Sequence, residues 1–155
     1  MDLEIAGKLA LVTGSTQGIG FATAKMLAAE GARVIVNGRH QQSVERAVQA
    51  LAVHGEAHGI AADLSGAEGA NRLLDAVQPL GPIDILVNNV GYFEVKPFAA
   101  IADADWTSMF ELNVMSGVRL SRALLPGMLT RDWGRIVFIA SEQSAKPNAD
   151  MLHYA

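Results

Sequence analysis

Leu9-Ala10-Leu11-Val12-Thr13-Gly14-Ser15-Thr16-Gln17-Gly18-Ile19-Gly20 is the stretch that decides the fold. Its first four residues form a short, unbroken apolar run, which reads as a strand covered on both faces. The glycines after it, spaced Gly-x3-Gly-x-Gly, fall where that strand hands over to a helix. Such a junction suits a pyrophosphate, because the first N–H groups of a helix lack carbonyl partners and point outward. Glycine lets the backbone turn sharply there and approach a phosphate closely. Gly14, Ser15, Thr16, Gln17, Gly18, Ile19 and Gly20 are therefore candidate cofactor-binding residues. A plain structural turn is the competing reading.

The same alternation continues downstream. A helix is expected over Gly18–Glu30, closed by Gly31, and a buried strand at Val34–Val36, stopped by Asn37-Gly38. A helix over about Gln42–Val53 and a weaker strand at His58–Ala62 follow. Ser65-Gly66-Ala67-Glu68 has the capping-box pattern and opens a helix to about Val77. After Pro79 and Pro82 comes a fourth strand, Ile83–Val87. Asp103 is expected to cap a long helical region reaching Leu129, with Pro126 bending its end. Arg135–Ala140 is the fifth strand. Strands and helices alternating through short links predict one domain over residues 1–155. It is α/β: a Rossmann-like, doubly wound parallel sheet in the order 3-2-1-4-5, with helices on both faces.

Composition limits what such a domain does. Half of the 155 residues are hydrophobic and 18% are charged, which excludes disorder as the main state. The net charge of −4 gives no electrostatic support for nucleic-acid binding. There is no cysteine, so disulfides, thiolate metal sites and thiol nucleophiles are excluded. The acidic start, Met1-Asp2-Leu3-Glu4, does not read as a secretory signal, and no apolar stretch approaches a membrane span. The expectation is a cytoplasmic protein without a membrane role. His54 and His58 stand four apart, but Gly55 and Gly59 argue against a metal-binding helix, and no metal is expected.

A dinucleotide site next needs a ribose selector at the tip of the second strand. An acid there favours the free 2′-hydroxyl of NAD(H). This tip reads Asn37-Gly38-Arg39, and the planar fork of Arg39 suits a 2′-phosphate. NADP(H) is the expected cofactor and NAD(H) the alternative. Tyr92 and Phe93, on the loop after the fourth strand, are candidate walls of a substrate pocket.

At this point the chain resembles the short-chain dehydrogenase/reductase family. Thr13–Gly20 is similar to that family's cofactor motif. Asp63-Leu64 matches its pair after the third strand, used around the adenine. Asn88-Asn89-Val90-Gly91 resembles its Asn-Asn-Ala-Gly, with Val90 as the one change. Asn113, Ser141 and Tyr154 match its catalytic asparagine, serine and tyrosine. The resemblance implies reversible hydride transfer between a nicotinamide cofactor and an alcohol or ketone, such as a 3-oxoacyl or other carbonyl compound. It implies that Ser141 holds the substrate oxygen, Tyr154 transfers the proton and Asn113 anchors a water relay. Cofactor roles would fall on Asp63, Leu64, Asn89, Val90 and Gly91. A homo-oligomer, dimer or tetramer, is implied as well.

The family's Tyr-x-x-x-Lys would put its lysine three positions past Ala155, followed by two more strands. The chain therefore reads as the N-terminal portion of a longer enzyme, ending just after the tyrosine, and is not expected to be a competent dehydrogenase by itself. Two other readings compete. One is a non-catalytic dinucleotide-binding or interaction module. The other is a methyltransferase of similar fold, which leaves Asn88-Asn89, Ser141 and Tyr154 unexplained.

Overall fold

The computed structural model describes residues 3–155; Met1 and Asp2, the first half of the acidic start, lie outside them. Strands β1 (Leu9–Val12), β2 (Arg33–Gly38), β3 (Ala57–Ala61), β4 (Ile85–Asn88) and β5 (Arg135–Phe138) form one sheet. All pairings are parallel and the order is β3-β2-β1-β4-β5, as the sequence predicts. Helices α1 (Gly18–Ala29), α2 (Gln41–Leu51), α3 (Ala67–Val77), α4 (Asp103–Phe110) and α5 (Ser116–Thr130) connect the strands. Parallel register brings Val12 beside Val36 and Val87, and Asn88 beside Phe138, so the strand ends share one edge.

Successive strand residues point to opposite faces, so each central strand feeds two cores. Ala10, Val12, Val34, Val36, Ile85 and Val87 pack with Ala24 and Ala28 of α1 and Ala47 and Leu51 of α2. Leu9, Leu11, Ile35 and Leu86 pack with Ala70, Leu73 and Val77 of α3 and Leu120 and Met128 of α5. The buried residues of α1 are Gly20, Ala24 and Ala28, all small, so this helix lies close against the sheet. β5 is different: its Val137 and Phe138, and Ile139 just after it, are exposed.

Several local expectations are corrected. Ser65 does not cap α3. Gly66 occupies the N-cap, without a side-chain bond, and the Ser65 N–H goes back to Asp63 Oδ1 at 3.0 Å. Ser65 is one residue too early. Asp103 is likewise the first residue of α4 rather than its cap. The Ala102 N–H instead donates to Asp105 Oδ2 at 2.8 Å. The long helical region is not one helix: a π turn over Glu111–Met115 separates α4 from α5. Pro126 lies inside α5, which runs on to Thr130. α2 stops at Leu51, where the chain turns so that Gly55 fits against Ala28; a Cβ there would sit 2.8 Å from Ala28 O.

Candidate active site

The phosphate-type loop sits at the edge shared by the strand ends. Gly14 and Gly18 both have φ near +60°, the left-handed region that suits glycine. A Cβ on Gly14 would lie 2.9 Å from Val90 Cα. One on Gly20 would lie 2.5 Å from Gly14 O and would also strike Asn89 Nδ2. Backbone therefore passes backbone here with no room for a side chain. The first turn of α1 carries no acid, so a phosphate at its outward N–H groups would meet no like charge from that turn. This cradle fits a bound pyrophosphate.

Hydrogen bonds fix the cradle. Thr13 Oγ1 accepts from the N–H groups of Asn89 at 2.9 Å and Val90 at 3.0 Å, and donates to Val87 O at 3.3 Å. Asn89 Nδ2 donates to Thr13 O at 2.9 Å and Gly14 O at 3.0 Å. The end of β4 is thus tied to the loop after β1. Ser15 is fully buried beneath the loop. Its hydroxyl donates to Val12 O at 2.6 Å and accepts from Asn37 N–H at 3.1 Å.

A cleft of about 470 Å³ opens beside the loop. Of the residues expected to bind cofactor, Gly14, Thr16, Gln17, Arg39, Asp63, Leu64, Asn89, Val90 and Gly91 line it. Ser15, Gly18, Ile19 and Gly20 do not; they shape the turn and the helix start. Sequence reasoning passed over Asn37 as a site residue. Its Nδ2 donates to Ile60 O and Ala62 O, both at 3.2 Å, and its Oδ1 accepts from Gly14 N–H at 3.4 Å. A buried asparagine closing an apolar strand was the available signal. Tyr92, Ser108 and Leu112 also line the cleft. The carboxyl of Asp63 is held below the usual carboxylate range, first by the Ser65 N–H and more weakly by Arg39 and Arg72.

Asn113, Ser141 and Tyr154 do not line this cleft, and no hydrogen bond joins them to one another. Asn113 sits in the π turn and clamps the neighbouring loop. Its Oδ1 accepts from Tyr92 N–H and its Nδ2 donates to Tyr92 O, each at 2.9 Å. A Cβ on Gly91 would lie 2.9 Å from Asn113 Oδ1, so the glycine makes room for the clamp. Ser141 follows β5 and accepts from Gln143 N–H at 3.2 Å, capping a 3₁₀ turn at Glu142–Ser144. Tyr154 lies in a single turn, not an α-helix; Ala155 N–H bonds Met151 O at 3.1 Å. Its ring lies 5.9 Å from that of Phe93, so Tyr154 and Asn113 meet opposite ends of the Tyr92-Phe93 pair.

The segment before Tyr154 is anchored on the same loop. Lys96 N–H donates to Asp150 O at 2.7 Å, and Lys96 Nζ pairs with Asp105 Oδ2 at 2.6 Å. The ammonium of Lys96, and then the Ala102 N–H, hold the Asp105 carboxyl below its usual range. Such a group contributes stability above the unfolded carboxylate value of about 4, and that contribution fades as pH falls through the lower folded value. Asp105→Asn is expected to melt at a lower temperature at neutral pH. The gap between variant and natural protein should close progressively below about pH 4. Melting curves across acid pH check this; a gap that persists unchanged to the lowest pH would refute the assignment.

Among the described residues, no group of three or more His, Asp or Glu is placed to hold a metal ion. His58 Nε2 contacts Glu56 Oε1 at 2.8 Å on exposed surface. Among the described residues, no helix is long and apolar enough to cross a membrane.

Residues 8–155 match the model of the short chain dehydrogenase family. The chain is 52% identical, over 155 residues, to the uncharacterized oxidoreductase YvrD of Bacillus subtilis (strain 168), covering all of this chain and 59% of that protein. L-Sorbose reductase from Gluconobacter frateurii, solved with NADPH and L-sorbose, superposes with a TM-score of 0.95 at 36% identity, over 99% of this chain and 60% of that one. A 3-oxoacyl (acyl-carrier-protein) reductase from Agrobacterium tumefaciens C58 with NADP bound gives a TM-score of 0.91 at 34% identity, over 97% of this chain and 58% of that one. The chain thus spans about three fifths of the length of the relatives it matches.

Proposed function

We propose an oxidoreductase function on one premise: this chain belongs to the short-chain dehydrogenase family. The proposed reaction is reversible hydride transfer between NADP(H) and an alcohol or ketone. The observation that carries it is the cleft beside Gly14–Gly20, where a Cβ on Gly14 or Gly20 would strike neighbouring backbone, with Arg39 at its rim. When bound, the dinucleotide supplies or accepts the hydride. Residues 1–155 would then form its binding domain.

Support for NADP(H) over NAD(H) comes from charge. The tip of β2 offers Gly38 and Arg39 and no acid, so a 2′-phosphate meets a guanidinium. A Cβ on Gly38 would lie 2.5 Å from Thr16 Cγ2, so an acidic side chain at that position would have to displace Thr16. Two structural relatives were solved with NADPH or NADP. In the proposed chemistry the Ser141 hydroxyl holds the substrate oxygen and the Tyr154 phenol transfers its proton. Asn113 keeps the Gly91-Tyr92 backbone in place, leaving its main chain to anchor a water. A cytoplasmic location and a homo-oligomer belong to the same proposal; exposed Trp106, Phe110 and Val114 offer apolar surface to a second copy.

Arg39→Ala tests the reading. Losing a hydrogen bond to a charged group costs about 1.5–3 kcal/mol, so NADPH should bind roughly 10- to 150-fold more weakly. NADH affinity should barely change. Titration of both cofactors into both proteins is the measurement. Equal affinity for the two cofactors in the natural protein would overturn the NADP(H) preference. Binding of NADPH without turnover of any ketone by the full natural chain would favour a non-catalytic binding module.

A further inference from the structure

The loop between β4 and α4 presents large apolar side chains outward. Phe93, Val95 and Phe98 are 63%, 64% and 64% exposed. Apolar side chains gathered beside a cleft form a candidate contact surface. One end of the patch is fixed against the proposed proton donor, since the Phe93 ring meets the Tyr154 ring at 5.9 Å and a tilt of 54°. The other end runs into the cofactor cleft through Tyr92, a lining residue. The loop is held in this position: both backbone polar groups of Tyr92 are bonded to Asn113.

Charge narrows what the patch accepts. The loop's one cation, Lys96, is consumed by Asp105 at 2.6 Å. Glu94 on the loop and Glu142 next to Ser141 are both acidic. With Lys96 paired, the loop offers a substrate carboxylate no free cation of its own, and Lys146 stands on the segment between Ser141 and Tyr154 rather than on the loop. A polyhydroxylated substrate would bury hydroxyls against Phe93 and Val95, which offer no side-chain hydrogen-bond partners.

We propose that this site takes a ketone or secondary alcohol carrying a neutral, apolar substituent, and that Phe93 is the side chain that selects it. The proposal rests on the oxidoreductase reading above. The substituent lies on the Phe93 ring while the carbonyl oxygen is presented to Tyr154. Phe93 acts on specificity alone and takes no part in proton or hydride movement.

The test uses the full natural chain and NADPH oxidation with acetophenone, acetoacetate and L-sorbose as substrates. Acetophenone is expected to have a kcat/KM at least about tenfold above the other two. Phe93→Ala should lower that value about tenfold, mainly through KM, and Phe93→Leu should restore most of it. Calorimetry should show the same loss in the affinity of acetophenone for the NADP+ complex, with NADPH affinity unchanged. Turnover that favours acetoacetate or sorbose, or a Phe93→Ala enzyme that treats acetophenone normally, would overturn the proposal alone. An enzyme that binds NADPH yet turns over none of the three would overturn the oxidoreductase reading, and the proposal with it.

Discussion

Thr13→Val should destabilise the protein by about 2–4 kcal/mol, although the two side chains have nearly the same shape. A hydroxyl offers one donor and two acceptor positions, and Thr13 uses all three. It donates to Val87 O and accepts from the N–H groups of Asn89 and Val90, while being fully buried. Valine leaves both N–H groups without that acceptor. An unsatisfied buried group costs about 1–3 kcal/mol, and two are created at once. No cavity opens to confuse the result. At roughly 2–4 °C per kcal/mol for a chain of this size, the melting temperature should fall by about 5–15 °C. Denaturant unfolding with an unchanged slope would confirm a stability effect. An unchanged midpoint would mean that water replaces the hydroxyl, and that the end of β4 is not held as described.

Gly69→Ala carries the second large loss, up to about 2 kcal/mol net, against the trend that alanine favours helices. Within α3, the exchange alone would gain about 1 kcal/mol. The added methyl, however, would run into Asp63 O, a backbone atom on the segment that places Asp63 and Leu64 in the cleft. Overpacking against a rigid neighbour costs about 1–3 kcal/mol and sometimes more. The segment has little freedom to yield, because Asp63 Oδ1 is bonded to Ser65 N–H and Leu64 is buried in the core. NADPH affinity should fall together with the melting temperature. Gly66→Ala is the comparison: a Cβ there meets nothing within 4 Å, so only the change of cap is felt. If Gly69→Ala melts no lower than Gly66→Ala, α3 is free to shift and the close fit is not a constraint.

What the sequence discloses follows from how local each signal is. β1, β2 and β4 are legible because strands covered on both faces read as unbroken apolar runs, as Leu9–Val12 does. β5 is legible as a strand from Ile136-Val137-Phe138, and its place at the end of the order 3-2-1-4-5 makes it an apolar edge, as its exposed Val137 and Phe138 show. The π turn at Glu111–Met115 is illegible: its residues keep ordinary helical composition, and one widened turn barely alters the apolar spacing. The two helix caps slipped by a residue because a cap is a backbone conformation that Ser65 and Asp103 suit but do not adopt. Asn37 was missed for a different reason. Its partners, Ile60 and Ala62, come from β3, and only the β2–β3 register brings them close. The family motifs located Asn113 and Tyr154, but the bond from Asn113 to Tyr92 and the contact of Tyr154 with Phe93 belong to the tertiary arrangement.

The two side-chain bonds from Asn89 to Thr13 O and Gly14 O have a thermodynamic consequence. They join the loop after β1 to the loop after β4, and Asn113 extends the tie to Tyr92. The walls of the cleft are therefore ordered before any ligand arrives. A dinucleotide entering such a seat freezes few backbone torsions, so most of the conformational entropy of the site has already been lost during folding. Affinity is then set by the contacts themselves, and a substitution that loosens the tie weakens binding at residues it never touches.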